Sequence, residues 1–242
     1  PVGGYADPDC MEKFLQEGKS DFFSIARGFI CEDQYIEKIQ ADHASSITPC
    51  ILCNKCHGAH CTVNPMAGLA HKKDLLPRGS GISKKVAVIG GGPSGLRAAI
   101  EASDKGHQVV LFEKETRLGG QANIADHAWF KWPMKRYKDW LIREVERRDI
   151  DVHLGAAPEP DRIRKGNYDA IILALGSKPK SIPVPGTEDA WTAEDVFGRE
   201  QDLGHNVVVI GGSSTGREAA LYLANHGHNV TMLTRDQAVL FE

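Results

Sequence analysis

The chain has 242 residues, 29 Lys and Arg against 32 Asp and Glu, 25 glycines and six cysteines. That length serves one large or two small hydrophobic cores, and a net charge of −3 gives no electrostatic reason to expect nucleic acid or a membrane surface. No apolar run approaches a membrane span and no signal peptide precedes the first domain, so a cytoplasmic protein with reduced thiols is expected.

Pro1-Val2-Gly3-Gly4 reads as the end of a buried strand without an initiator Met, and the chain stops at Phe241-Glu242 just after another strand. Both ends read as cuts in a longer protein. Asp9 to Glu17 has helical spacing through Met11, Phe14 and Leu15, with Gly18 at the C-terminal stop. Asp21 to Ala26 is a short apolar run suited to a buried parallel strand, followed by Arg27-Gly28 and a helix over about 33–40. Gly3-Gly4 and Ala26-Arg27 would then stand at the C-terminal ends of consecutive parallel strands. In a (β/α)8 barrel the last two units hold a phosphate there. A βα piece with incidental glycines is the competing reading. Cys10 and Cys31 read as ordinary buried thiols.

Cys50, Cys53, Cys56 and Cys61 fall within twelve residues, three of them at strict two-residue spacing. C-x2-C-x2-C followed closely by a fourth cysteine suits a cubane iron–sulfur cluster, in which each iron takes one thiolate. A structural zinc site could recruit His57 or His60. Disulfides between cysteines this close would be strained, and four packed, inert thiols would need no fixed spacing. Residues 66–83 form a polar connector.

At Lys85 the texture changes. Val86-Ala87-Val88-Ile89 reads as a buried strand, then Gly90-Gly91-Gly92-Pro93-Ser94-Gly95, a helix from about Leu96 to Lys105, and a strand from Gln108 to Phe112 ending in Glu113. This is a dinucleotide fingerprint in full context. Gly90 makes the turn, Gly92 lets backbone approach a pyrophosphate, Gly95 lets helix pack on strand, and Glu113 can bind ribose hydroxyls. Arg117-Leu118-Gly119-Gly120-Gln121 follows, then a helix over about 134–148 with Tyr137, Leu141 and Val145 on one face. Trp129, Trp132 and Trp140 read as core or interface packing. Residues 150–167 read as short strands and turns, and 168–176 as another buried strand ending at Gly176. The pattern then repeats: Val207 to Ile210, Gly211-Gly212-Ser213-Ser214-Thr215-Gly216, a helix to about His226, and a strand from Asn229 to Leu233. Two such units imply two nucleotides, or one live site and one relic.

A barrel end, a four-cysteine segment, a fingerprint followed by Leu118-Gly119-Gly120-Gln121, and a second Rossmann start occur in this order in one group. The chain resembles the C-terminal portion of the flavin- and iron–sulfur-containing relatives of old yellow enzyme, such as 2,4-dienoyl-CoA reductase, 2-enoate reductases and trimethylamine dehydrogenase. The resemblance implies an α/β chain in five parts. Residues 1–45 would end an FMN-binding (β/α)8 barrel and 46–70 would hold a [4Fe–4S] cluster. Residues 71–83 would connect to a Rossmann-like FAD domain at 84–204 and the start of an NAD(P) domain at 205–242. It implies that Gly3, Gly4, Ala26 and Arg27 hold the FMN phosphate and that Cys50, Cys53, Cys56 and Cys61 ligate the cluster. Gly90, Gly92, Pro93, Ser94, Gly95, Glu113, Lys114, Leu118, Gly120, Gln121 and Gly176 would serve FAD, and Gly211, Ser213, Gly216 and Arg235 the nicotinamide nucleotide. Electrons would run from NAD(P)H through FAD and the cluster to FMN, and on to an activated double bond of a small-molecule substrate. The rival is an amine dehydrogenase feeding an electron carrier, and a non-catalytic relay or binding module is the third reading. Four departures from the family pattern stand out. The Cys56–Cys61 gap is short, Leu175 replaces a usual threonine, Ser213 replaces a fingerprint glycine, and Thr234 stands where the first unit has Glu113. The barrel strands carrying the proton donor and substrate pocket lie outside this sequence, in an N-terminal portion of the same protein that is its expected partner.

Overall fold

The computed structural model describes residues 7–58, 60–69, 81–180 and 184–235. The chain divides into two units, Pro1–Ala122 with Trp132–Gly176, and Asn123–Lys131 with Ser177–Glu242. Residues 123–131 and 177–204 thus group with the second nucleotide-binding pattern, whereas the sequence placed them with the first.

In the first unit, helix α1 (Pro8–Gln16) starts at Asp7, whose carboxylate accepts the Asp9 N–H, with Pro8 in the first turn. Gly18 follows it at φ 64°, a left-handed stop that suits glycine. Met11 turns inward against Tyr35 and Ile47. The strand expected over Asp21 to Ala26 does not form: Ser24 makes a single-residue bridge and Phe22 is 78% exposed. A parallel strand takes its hydrogen bonds from neighbouring strands, and none of the described residues pairs as one alongside it. Helix α2 (Arg27–Cys31) begins where the sequence suggested a phosphate turn, and α3 (Tyr35–Gln40) follows. Of the two cysteines read as buried thiols, Cys31 is buried but Cys10 is exposed, on the outward side of α1.

The rest of this unit is a parallel sheet built from β1 (Lys85–Ile89), α4 (Pro93–Asp104), β2 (Gln108–Phe112), α5 (Trp132–Glu146), β3 (Ile150–His153), α6 (Pro160–Lys165) and β4 (Ala170–Leu173). Its order is β3-β2-β1-β4, with Val88 paired to Leu111 on one side and Ile172 on the other. Right-handed crossovers through helices are what continuous Val/Ile runs separated by helical stretches require. One face buries Val86, Val88, Val109 and Leu111 against Leu96 and Ile100 of α4 and Trp140, Leu141 and Val145 of α5. The other buries Ala87 and Phe112 against Ile163 of α6. Helix α6 was not foreseen, although Pro160 in its first turn and Arg162, Arg164 and Lys165 near its end are ordinary helix signals. The strand expected to be buried at 168–176 is the sheet edge, and Leu173 and Leu175 are 69% and 71% exposed. Of the tryptophans read as packing residues, Trp140 is buried, while Trp129 and Trp132 are exposed.

In the second unit α7 (Ala193–Val196) opens with a capping box between Thr192 and Asp195. Two parallel strands, β5 (Asn206–Ile210) and β6 (Asn229–Leu233), are joined by α8 (Ser214–Asn225). Val207, Val209 and Val230 pack with Tyr222 and Leu223 of α8, and with Ile124, Ala128 and Phe130. No helix among the described residues is long and apolar enough to cross a membrane.

Candidate functional site

The first glycine loop is built by close backbone contact. Gly90 takes φ 111°, and a Cβ there would lie 2.2 Å from the Ala174 carbonyl oxygen. At Gly95 a Cβ would lie 1.8 Å from the Gly90 carbonyl oxygen, so only glycine lets α4 seat on the end of β1. Gly92 differs: its nearest neighbour is the Gly120 Cα at 3.9 Å, which leaves its face open. It caps the twelve-residue α4, with Pro93 first in the helix and Ser94 exposed, so free backbone N–H groups and the positive helix end face that opening. The Leu118–Gln121 loop folds onto it, the Gly119 N–H donating to the Gly91 carbonyl at 2.9 Å. A pyrophosphate fits this cradle.

Glu113 follows the end of β2 with 5% of its surface exposed. Its Oε2 accepts the Gly91 N–H at 2.6 Å and its Oε1 accepts the Glu115 N–H at 2.9 Å. The carboxylate therefore shapes the loop itself, with one acceptor position on each oxygen used. Lys114 is exposed and pairs with Glu115 at 3.4 Å. Gly176 takes φ 74°, and a Cβ there would meet nothing within 4 Å.

The four thiols Cys50, Cys53, Cys56 and Cys61 border one small cavity with Arg27, Ile30, Ile51, Asn54 and Val63. Leu52 and Asn54 both take positive φ, about 55°, which turns the chain sharply between the first and third cysteines. The Leu52 N–H donates to Cys50 Sγ at 3.4 Å, and Thr62 Oγ1 lies 3.2 Å from Cys53 Sγ. A hydrogen bond from Cys31 holds the Cys50 thiol down at about 6, against burial, helped by the Leu52 N–H and the nearby charges of Arg27 and Arg136. The same pairing, with burial, pushes the Cys31 thiol far up. Among the described residues no three His, Cys, Asp or Glu close on a point that a single ion could occupy. His57 and His60, which a lone zinc could recruit, are both exposed. Sulfurs around a cubane stand further apart, because each binds a separate iron, and four thiols on one cavity fit that donor set.

Of the residues carried over for an FMN phosphate, Gly3 and Gly4 lie outside the described residues. Ala26 is exposed, and the Arg27 guanidinium donates to Asn54 Oδ1 at 3.2 Å.

Sequence reasoning missed what anchors the cysteine segment. Glu32 is buried, and its Oε2 accepts from Lys38 Nζ, the Thr48 N–H and the Thr48 hydroxyl, while Oε1 accepts the Gln34 N–H. Burial pushes this carboxyl up, but the Lys38 ammonium and the two N–H groups outweigh it and hold it below the usual range. From the other side, Trp140 Nε1 donates to the Ser46 carbonyl at 3.2 Å and Arg147 donates to Ser45 Oγ at 2.8 Å. Residues 45–48 are therefore gripped by α5 and by the α2–α3 turn, two residues before Cys50. A Glu beside a lysine six positions on is the one signal in the sequence, and it resembles any surface pair.

In the second unit Gly211 takes φ 118° and a Cβ at Gly216 would lie 2.0 Å from the Gly211 carbonyl oxygen, as in the first loop. Thr234 covers Gly212, its Oγ1 2.7 Å from the Cβ position, as Glu113 covers Gly91. Ser213 caps α8 through its backbone and is exposed; Arg235, just past β6, is exposed too.

A family described as pyridine nucleotide-disulphide oxidoreductase matches residues 84–242. An NADH oxidase from Thermoanaerobacter brockii is 37% identical over 247 residues, covering 96% of this chain and 38% of the relative. A cinnamate reductase from Clostridium sporogenes is 30% identical over 247 residues, covering 99% and 37%. Among solved structures, the complex of 2-naphthoyl-CoA reductase with 2-naphthoyl-CoA superposes with a TM-score of 0.85 at 25% identity, covering 94% of this chain and 36% of that one. The chain spans little more than a third of the length of these relatives.

Proposed function

Because the chain belongs to the pyridine nucleotide-disulphide oxidoreductase family, we propose that it is the electron-input part of a flavin and iron–sulfur reductase. In the whole protein, electrons from NAD(P)H would pass by way of FAD and a [4Fe–4S] cluster to FMN, and reduce an activated C=C bond of an unsaturated acid or thioester. The observation that carries this reading is the set of four thiols bordering one cavity in the same unit as the glycine fingerprint. The likeness to a cinnamate reductase and a 2-naphthoyl-CoA reductase supports the substrate class.

A bound flavin accepts a hydride and releases single electrons, the conversion that a one-electron cluster downstream requires. The chain's own residues prepare for it. The Gly92 face and the start of α4 offer N–H groups to the pyrophosphate, and Glu113 offers its remaining acceptor positions to the ribose diol. Cys50, Cys53, Cys56 and Cys61 would supply the cluster thiolates, Ile30, Ile51 and Val63 line that cavity with apolar surface, and the Leu52 N–H and Arg27 would offset its negative charge.

A second reading, an amine dehydrogenase passing electrons outward to a carrier, draws on Thr234, which gives the second unit no carboxylate for a ribose. The full-length protein separates the two under anaerobic conditions. NAD(P)H oxidation that depends on an added 2-enoate supports the reductase. Flavin reduction by an amine, with no response to either nicotinamide nucleotide, would establish the rival.

A further inference from the structure

We propose that Thr62 is a positioning residue whose hydroxyl donates a hydrogen bond to the Cys53 sulfur and raises the reduction potential of the cluster. The inference rests on the [4Fe–4S] reading above.

Thr62 Oγ1 lies 3.2 Å from Cys53 Sγ, nine residues back along the chain. Thr62 directly follows Cys61, so the contact ties the last cysteine's end of the segment to its second cysteine. Between a hydroxyl and a free thiol either group can donate. A metal-bound thiolate has no proton and only accepts, so the hydroxyl must supply the proton, and the negative sulfur makes the bond charge-assisted. Cys53 is exposed whereas Cys50, Cys56 and Cys61 are half-buried, which leaves its sulfur an open side for a donor.

The neighbours of Thr62 hold it there. Val63 is 3% exposed and borders the same cavity as the four thiols. Asn64 Nδ2 donates to the Ile30 carbonyl of α2 at 2.9 Å, and its Oδ1 accepts the Met66 N–H at 2.9 Å. Reduction adds negative charge to a cluster, and a proton aimed at a ligand sulfur stabilises the more negative state. Hydrogen bonds to the sulfurs are among the factors that set cluster potentials. The Leu52 N–H that reaches Cys50 is backbone and survives most substitutions. At Cys53 the donor is a side chain, so a single substitution there can change the potential.

The test uses the full-length, cluster-loaded protein, with its potential read by EPR-monitored redox titration. Thr62→Val keeps the shape of the side chain and puts a methyl group in place of the hydroxyl. Its iron content should stay unchanged while the ratio of reduced to oxidised cluster at a fixed ambient potential falls roughly two- to tenfold, the effect of one ordinary hydrogen bond. Thr62→Ser keeps a hydroxyl and should stay close to wild type. An unchanged ratio in Thr62→Val at full iron content overturns the inference alone, whereas wild-type protein without a cluster removes the wider reading as well. An equal fall in Thr62→Ser would assign the effect to packing rather than to the proton, and overturns the inference too. Should Thr62→Val hold no iron, Thr62→Ala takes its place in the titration. Loss of iron from both would make the side chain a requirement for assembly and overturn its tuning role.

Discussion

Removing the Glu113 side chain separates its part in folding from its part in cofactor binding. Its Oε2 accepts from Gly91, whose N–H is buried, and its Oε1 accepts from Glu115, whose N–H lies near solvent. In Glu113→Ala the Gly91 N–H has no replacement, at about 1–3 kcal/mol, while water can take over at Glu115 for under about 1 kcal/mol. The loop should therefore lose roughly 1–4 kcal/mol of local stability. Glu113→Gln keeps an oxygen for Gly91 and should cost about 1 kcal/mol or less, but it has one acceptor oxygen where the carboxylate has two. If Glu113 holds the ribose of FAD, both variants should bind FAD about 10- to 150-fold more weakly, the equivalent of about 1.5–3 kcal/mol for a lost charge-assisted contact. Hydrogen exchange at the Gly91 amide and urea unfolding report the first effect, and equilibrium dialysis with FAD reports the second. Unchanged FAD affinity in Glu113→Gln would refute the ribose assignment. A loss below about 1 kcal/mol in Glu113→Ala would refute the loop-shaping role.

Three further outcomes follow from the same geometry. Gly95→Ala should abolish FAD retention and disturb α4, because its Cβ would lie 1.8 Å from the Gly90 carbonyl oxygen; a normally flavinated variant would contradict the packing described. Glu32→Gln should destabilise the cysteine segment by about 2–3 kcal/mol, less than a fully buried pair because the Lys38 side chain keeps 24% exposure. The Glu32 carboxyl is held below its ordinary value, so this stability is present above the unfolded carboxyl's pKa of about 4.3 and is lost as pH falls through the lower folded value; a wild-type advantage over Glu32→Gln that persists below that range would be inconsistent with it. Arg235→Ala in the full-length enzyme should erase a preference for NADPH over NADH in flavin reduction, and a wild-type preference for NADH would leave Arg235 without that role.

The strands carrying the glycine loops were legible because a Val/Ile run ending in glycine suits a strand flanked by neighbours. The expected span Gln108–Phe112 and the observed β2 coincide. The same logic failed at Asp21–Ala26, where an apolar run has no described strand to pair with. It also misjudged β4, because an edge strand and a central one carry the same residues. Gly90, Gly92 and Gly95 could be assigned by spacing because each answers a local backbone requirement. Cys31 and Glu32 could not, since both reach Thr48, seventeen and sixteen residues away. No periodic pattern marks such a contact.

The most direct test mixes full-length, anaerobically prepared protein with NAD(P)H and follows flavin absorbance together with the EPR signal of a reduced cluster. Flavin bleaching should be followed by a cluster signal that Cys53→Ser lacks, in protein holding about four irons per chain. Bleaching with no cluster signal, or zinc in place of iron after anaerobic reconstitution, would contradict the account.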